Sequence, residues 1–154
     1  MAMHTWFECK IRYDKLMENG MNKKVTEPYL VDALSFTEAE ARIIEEMTPF
    51  ISGEFTVSDI KRANYSELFP CEEEAADRWF KCKLVFITLD EKSGAEKKTS
   101  TQVLVQAADL RDAVKKLDEG MKGTMADYQI ASVAETAIMD VYPYSAEPDD
   151  KPEV

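Results

Sequence analysis

Apolar and polar residues alternate along two stretches of the chain that open with nearly the same phrase. Residues 6–11 read Trp-Phe-Glu-Cys-Lys-Ile, and residues 79–84 read Trp-Phe-Lys-Cys-Lys-Leu. Successive side chains of a β-strand point to opposite faces, so each stretch predicts a strand with one apolar and one mixed face. The predicted apolar faces hold Phe7, Cys9, Ile11 and Tyr13 in the first strand and Phe80, Cys82, Leu84 and Phe86 in the second.

The likeness between the two stretches continues along the chain. Phe36 corresponds to Leu110 and Met47 to Met121, both at an offset of 74 (110 − 36 and 121 − 47). A period of this length is longer than a solenoid repeat, so it indicates two packed halves and not an array. We interpret the pattern as a tandem duplication.

The residue pattern of each half predicts two strands, a helix and a third strand. Glu18-Asn19-Gly20 predicts the turn of the first hairpin, and Ser35 with Glu38 predicts a capping box for the first helix. The predicted strands are 5–16, 23–32, 54–66, 79–89, 96–106 and 128–141, and the predicted helix stripes are Phe36, Ala39, Ile43, Met47 and Leu110, Ala113, Val114, Leu117, Met121. Six strands and two helices predict an α+β protein with a mainly antiparallel sheet system.

The domain organisation follows from this repeat. We expect a first half at 1–69, an acidic junction at 70–78, a second half at 79–144 and a disordered acidic tail at 145–154. One half alone would bury little apolar surface, so the two halves are expected to share one core.

Several segments also resemble a known family. They are Trp6-Phe7-Glu8-Cys9-Lys10, Lys23-Lys24-Val25, the stretch from Tyr29 to Glu40, and Gly53-Glu54-Phe55. Together they resemble an uncharacterised family, a domain of unknown function found in short proteins of gut anaerobic bacteria and their mobile elements. The resemblance runs roughly to Val141 and implies a small, stand-alone intracellular protein. It rests on no chemical motif, and it therefore implies no functional residues.

Charge and cysteine content narrow the class of protein. The net charge of −11 argues against strong binding of a phosphate backbone, since that affinity comes from clustered Lys and Arg. The three cysteines are an odd number, which favours reduced thiols in the cytoplasm. No apolar run approaches the roughly 18 residues of a membrane span, and residues 1–5 show no signal peptide. We expect a cytoplasmic protein without a membrane partner.

Little in the sequence indicates catalysis. The chain has one histidine, His4, and neither zinc-spaced cysteines nor a phosphate-binding glycine loop. Carboxylates for a metal-dependent hydrolase are available at Asp32, Glu54, Asp59, Asp127 and Asp140. In a chain with 30 acidic residues, a solvated surface is the simpler interpretation of these groups. We therefore predict no cofactor and favour a protein that is not an enzyme.

The mixed faces of the two repeated strands are the predicted binding site. They hold Trp6, Lys10 and Arg12 in the first half and Trp79, Lys81 and Lys83 in the second. A tryptophan on such a face is either covered by another part of the chain or forms an aromatic platform flanked by cations. The preferred prediction is an interaction module that binds a protein partner through this face or through a groove between the halves. The alternatives are a single-stranded nucleic-acid binder, in which the rings stack on bases, and a carboxylate-metal hydrolase.

Overall fold

Two long β-hairpins form the centres of two sheets in the computed structural model, which describes residues 5–124 and 127–143. The first hairpin joins β1 (Trp6–Leu16) to β2 (Asn22–Asp32), and the second joins β5 (Arg78–Leu89) to β6 (Glu96–Ala107). Each turn contains a glycine with positive φ, Gly20 at 84° and Gly94 at 73°. L-residues with a side chain rarely adopt this conformation, so glycine permits the tight reversal.

The remaining elements complete two compact units. One helix follows each hairpin and a third strand follows each helix; the elements are α1 (Phe36–Met47), β3 (Phe55–Ala63), β4 (Glu67–Phe69), α2 (Leu110–Gly120), β7 (Asp127–Glu135) and β8 (Val141–Tyr142). Unit 1 comprises the residues up to Ala63 and those from Ile138 onward, and unit 2 comprises Asn64–Ala137.

Unit 1 has a four-stranded sheet in the order β3-β1-β2-β8, antiparallel except for the pair of β2 and β8. Helix α1 covers one face, and its residues Ala39, Ile43 and Met47 are buried against that face. The strand residues in this core include Phe7, Cys9, Ile11 and Val31, each fully or almost fully buried. The predicted apolar face of the first strand is therefore confirmed.

Unit 2 has a four-stranded sheet in the order β4-β6-β5-β7, antiparallel except for the pair of β4 and β6. Helix α2 covers one face through buried Ala113 and Leu117, with Met121 just beyond its end. Phe80, Cys82 and Leu84 of β5 are buried in the same unit. Written from its other edge, the order is β7-β5-β6-β4. It then matches β3-β1-β2-β8 of unit 1 strand by strand.

The pairing of strands also corresponds between the units. Trp6 lies opposite Asp32 and Trp79 opposite Gln106, at offsets of 73 (79 − 6) and 74 (106 − 32). The register between the first and third strands shifts between Lys10 and Ile11 in unit 1, and between Lys83 and Leu84 in unit 2. These shifts fall at the same offset of 73 (83 − 10), so both units have an irregularity at the same place.

Both helices begin with the same local motif. The Ser35 hydroxyl accepts a hydrogen bond from the Glu38 N–H, and the Glu38 carboxylate accepts one from the Leu34 N–H. In α2 the Asp109 carboxylate accepts from the Asp112 N–H, and Asp112 accepts from the Ala108 N–H. Each capping box pairs backbone N–H groups that lack partners within the helix, which fixes where the helix starts.

The α+β class with two helices and mainly antiparallel sheets is confirmed, but three details of the prediction were wrong. The described residues form eight strands and not six, and the predicted strand 128–141 ends at Glu135. Phe36 and Leu110 are 48% and 52% exposed although they belong to the predicted helix stripes. Each is the first residue of its helix, where only part of the side chain reaches the sheet; the Phe36 ring still meets the Phe7 ring edge-on, at 4.9 Å between centroids.

The two short strands, β4 and β8, change the division of the chain. β4 follows β3 of unit 1 in sequence but pairs with β6 of unit 2, and β8 follows β7 but pairs with β2 of unit 1. We call them the crossing strands. The units therefore divide at 63/64 and 137/138, which differs from the predicted halves 1–69 and 79–144. A core shared by the halves stays a prediction, and the predicted tail at 145–154 and His4 lie outside the described residues.

Candidate functional site

The sheet face turned away from each helix carries the six residues predicted to bind a partner, and their role in binding stays a prediction. β1 contributes Trp6, Lys10 and Arg12, and β5 contributes Trp79, Lys81 and Lys83, all at positions that alternate with core residues. The structure thus places three of them together in unit 1 and three in unit 2.

The two tryptophans differ from the lysines on this face in their accessibility. Trp6 is 6% exposed and Trp79 is 4% exposed, whereas Lys81, Lys83 and Arg12 are exposed. A base can stack only on an accessible ring face. The aromatic platforms of the sequence-based prediction are therefore closed in this conformation, because alternation along a strand does not reveal whether a face is covered.

The cations of unit 1 lie among acidic residues. Lys10 is half-buried and pairs across the sheet with Asp59, and the neighbouring Glu8 pairs with Lys61. Opposite charges on directly opposed strand positions attract each other and offset each other's field. This face of unit 1 therefore carries mixed charge.

The corresponding positions of unit 2 have neutral neighbours. Lys81 lies opposite Leu104 and Ala134, and Lys83 lies opposite Gln102 and Ser132. Lys98 lies on the same face, opposite Ile87, and is also exposed. We call Lys81, Lys83 and Lys98 the lysine face. It is a cationic surface without directly opposed acids, on a chain whose net charge is −11.

Half-buried apolar side chains lie beside these lysines. Val85 and Ile87 follow Lys83 at alternate positions of β5 and share its face. Val85 lies opposite Ser100 and Gln129, which are uncharged, whereas Ile87 lies opposite Lys98 and Asp127. Cations beside partly exposed aliphatic groups can contact both the carboxylates and the side-chain carbons of a partner.

The carboxylates considered for a metal site do not come together. Asp32 is buried and accepts a hydrogen bond from the Thr5 N–H at 3.3 Å, while Glu54, Asp59, Asp127 and Asp140 are exposed. Within residues 5–124 and 127–143, no group of three or more His, Cys, Asp or Glu side chains has an arrangement that could hold a metal ion.

A tyrosine cluster in unit 1 was missed by the sequence-based prediction. The hydroxyls of Tyr13 and Tyr29 both donate to Glu27 Oε1, at 2.9 and 3.3 Å, and Lys15 Nζ donates to Glu27 Oε2 at 3.3 Å. The Tyr29 ring stacks on that of Tyr142, with centroids 6.2 Å apart. The signal that would have revealed the cluster is Glu27 itself, an acidic residue at an inward position of β2.

Burial and the Glu27 carboxylate raise the pKa values of the tyrosine hydroxyls in this cluster. Burial, with the hydrogen bond to Glu27, raises the pKa of Tyr13 to about 12, and burial with the Glu27 charge raises the pKa of Tyr29 above its usual range. Burial also raises the pKa of Tyr142 to about 12. These hydroxyls are therefore hydrogen-bond donors and not proton acceptors near neutral pH.

Two of the three cysteines lack the properties of nucleophiles. Cys9, Cys71 and Cys82 are free, and Cys9 and Cys82 are fully buried. Burial raises the pKa of Cys9 to about 12 and that of Cys82 to about 11. A thiol that stays protonated is a poor nucleophile and a poor metal ligand, so these two residues act as core side chains.

A groove between α1 and β3 is the second surface feature of unit 1. It has a volume of about 620 Å³. The α1 side presents Glu40, Ile44 and Thr48, which are spaced one turn apart, and the opposite side includes Glu54, Phe55 and Val57. The lining of the groove therefore combines three apolar side chains with two carboxylates.

Fold and surface together define an α+β protein of two four-stranded sheets, each covered on one face by a single helix. The chain belongs to the family described as domain of unknown function DUF4494, whose model matches residues 5–144. None of the curated proteins compared with the chain matches it. No helix within the described ranges is both long and apolar enough to cross a membrane.

Proposed function

We propose that this protein is a non-enzymatic interaction module that binds an acidic segment of a partner protein through the lysine face of unit 2. The observation that carries the proposal is the set of neutral neighbours around exposed Lys81 and Lys83 on a strongly acidic chain. A local cation patch on such a chain attracts a carboxylate-bearing partner and gives the interaction its salt dependence.

The spacing of the lysines supports an extended ligand. Lys81 and Lys83 are two residues apart on one strand, which places them about 7 Å apart. Alternate side chains of an extended peptide have the same spacing, so two alternate Glu residues can meet both ammonium groups. Val85 and Ile87 continue the row and favour an aliphatic side chain after the acidic pair.

Closed tryptophan rings favour a protein partner over single-stranded nucleic acid. Stacking supplies about 1–3 kcal/mol per base, and Trp6 and Trp79 are too little exposed to supply it in this conformation. The net charge of −11 also opposes a phosphate backbone. A carboxylate-metal hydrolase finds no support in the part of the chain that the structure describes, where no group of three or more His, Cys, Asp or Glu could hold a metal ion.

The test is a titration of the full chain with a fluorescein-labelled peptide of alternating Glu and Val, followed by anisotropy. We expect saturable binding that weakens as salt is added and is lost in Lys81→Glu/Lys83→Glu. The matched control is Lys115→Glu/Lys122→Glu, the same charge change at exposed positions outside this face. Equal loss in both variants would indicate a net-charge effect and refute the lysine face. Tighter binding of a labelled oligothymidylate than of the peptide would replace the protein partner with nucleic acid.

We also propose that the two units arose by tandem duplication. The shared strand order, the hairpin registers, the matching register shifts and the two capping boxes support it. The cytoplasmic location and the origin in gut anaerobes and their mobile elements stay predictions from the sequence.

A further inference from the structure

We propose a second binding site on unit 1, independent of the lysine face. In this site an extended basic segment of a partner protein adds as a strand to the free edge of β3 and places alternate aliphatic side chains in the groove beside α1. The two sites would let the protein hold an acidic and a basic segment at once.

The first argument is the open edge of β3. Among residues 5–124 and 127–143, β3 is the end strand of its sheet and pairs with β1 along one side, so alternate N–H and C=O groups of Phe55–Val57 point away from the sheet. The register shift lies at Ser58, whose hydroxyl donates to the Lys10 carbonyl at 3.3 Å. Bulges and charged residues block edge pairing, and here both begin at Ser58 and Asp59. The uncharged stretch before them stays open to strand addition.

The second argument is the apolar groove next to this edge. Ile44 is 41% exposed on the α1 side, and Phe55 and Val57 are half-buried on the strand side. A strand added to β3 would place every second side chain next to Phe55 and Val57, beneath Ile44. Those side chains would fill the groove, whose volume of about 620 Å³ is sufficient for several aliphatic groups.

The third argument is charge complementarity. Glu40 lines the groove from α1 and Glu54 lines it at the start of the strand. Neither carboxylate is paired with a cation within 4 Å among the ion pairs of the described residues. Lysine or arginine side chains flanking the aliphatic positions would meet them, and an acidic segment would be repelled.

Unit 2 provides an internal comparison, because its helix lacks this arrangement. At the offset of 74, Ile44 corresponds to Asp118 and Glu40 to Val114 (118 − 44 and 114 − 40). The apolar centre and the acidic rim are thus absent from the equivalent positions of α2. The α1 side of the groove is therefore particular to unit 1, whereas its strand side recurs, since Asp127, Tyr128 and Ile130 of β7 correspond to Glu54, Phe55 and Val57 at an offset of 73 (127 − 54).

The test is anisotropy of the full chain with a labelled peptide of four Val-Lys repeats. We expect saturable binding, about tenfold weaker in Ile44→Asp, because a buried aliphatic contact is replaced by a charge. Glu40→Lys/Glu54→Lys should abolish it. Phe50→Asp is the matched control, since Phe50 is 75% exposed and does not line the groove. Circular dichroism of each variant establishes that it is folded.

Backbone pairing is tested by N-methylation of alternate amides on the peptide edge that would face β3. Loss of binding supports strand addition, and unchanged binding refutes it. No saturable binding of the unmodified peptide, or equal affinity of Ile44→Asp and the wild type, would refute the site. Lys81→Glu/Lys83→Glu should not weaken this binding, so failure of one site is distinguishable from failure of the other.

Discussion

The ring of Phe69 packs so closely against Gly120 that there is no space for a β-carbon on the glycine. An ideal Cβ at Gly120 would lie 2.9 Å from Cδ1 and Cε1 of Phe69. Phe69 belongs to the short crossing strand β4, and Gly120 is the last residue of α2. The missing side chain therefore lets the strand lie against the end of the helix.

Gly120→Ala tests this relationship. Alanine normally stabilises a helix relative to glycine by about 1 kcal/mol, but overpacking costs about 1–3 kcal/mol. We expect a net loss of about 1 kcal/mol in the free energy of unfolding, measured by urea denaturation. Gly53→Ala is the control, because nothing lies within 4 Å of a Cβ there. A gain at Gly120 would show that the Phe69 ring moves aside freely.

The two helices should contribute equally to the two cores. Ile43 and Leu117 are both fully buried at corresponding positions of α1 and α2. Ile43→Ala and Leu117→Ala should each lower the free energy of unfolding by about 2–5 kcal/mol, the cost of emptying a packed aliphatic site. Chemical denaturation measures it, and a loss below about 1 kcal/mol would contradict the packing of that helix.

Substitution of Trp79 should lower stability, whereas substitution of the neighbouring lysines should leave stability almost unchanged. Trp79→Ala is expected to cost about 3–5 kcal/mol because the ring is 4% exposed. Lys81→Glu/Lys83→Glu should change the free energy of unfolding by less than about 0.5 kcal/mol, since both side chains are exposed. Thermal or urea unfolding distinguishes them. A Trp79→Ala protein as stable as the wild type would show that the ring does not stabilise the core and is available to bind a partner.

Alkaline pH should weaken the fold through its tyrosines. Tyr13 and Tyr142 have pKa values raised from 10.0 to about 12, so the folded protein holds these protons more tightly than the unfolded chain. Their contribution is complete below about pH 10 and is lost as the pH rises towards 12. Urea midpoints should therefore fall across this window.

The matched variant is Tyr13→Phe/Tyr142→Phe, because phenylalanine occupies the corresponding positions of unit 2, Phe86 and Phe69, at an offset of 73 (86 − 13 and 142 − 69). Its stability should fall less steeply with pH. Part of the slope should persist, since burial also raises the pKa values of Cys9 and Cys82. An identical slope in the variant would assign the effect to other groups.

The hairpins and helix starts were predictable because their signals are local. Gly20 supplies the positive φ of the first turn, and Ser35 and Asp109 cap helices with residues three positions away. Alternation over 11 or 12 residues then fixed which face of β1 and β5 is apolar.

The remaining features depend on contacts between residues far apart in the chain. β4 has three residues and β8 has two, too few for a recognisable period, and both exist through parallel pairing with distant strands. The burial of Trp6 and Trp79 likewise depends on what covers a face, and no pattern within a strand records that. At the candidate site, alternation along β5 puts Lys81 and Lys83 on one face, but it could not show that their opposite neighbours are neutral or that Lys98 of β6 shares the face.

The crossing strands also affect when each sheet can close during synthesis. Leu68 is 36 residues from its partner Leu104, whereas Leu30 is 111 residues from Val141 (104 − 68 and 141 − 30). The longer loop costs about 1 kcal/mol more to close. A nascent chain that stalls before residue 138 can complete the sheet of unit 2, but leaves the β2 edge at Leu30 and Val31 unpaired. Interrupted translation would therefore release a product with one finished sheet and one open edge, where a second stalled chain can pair.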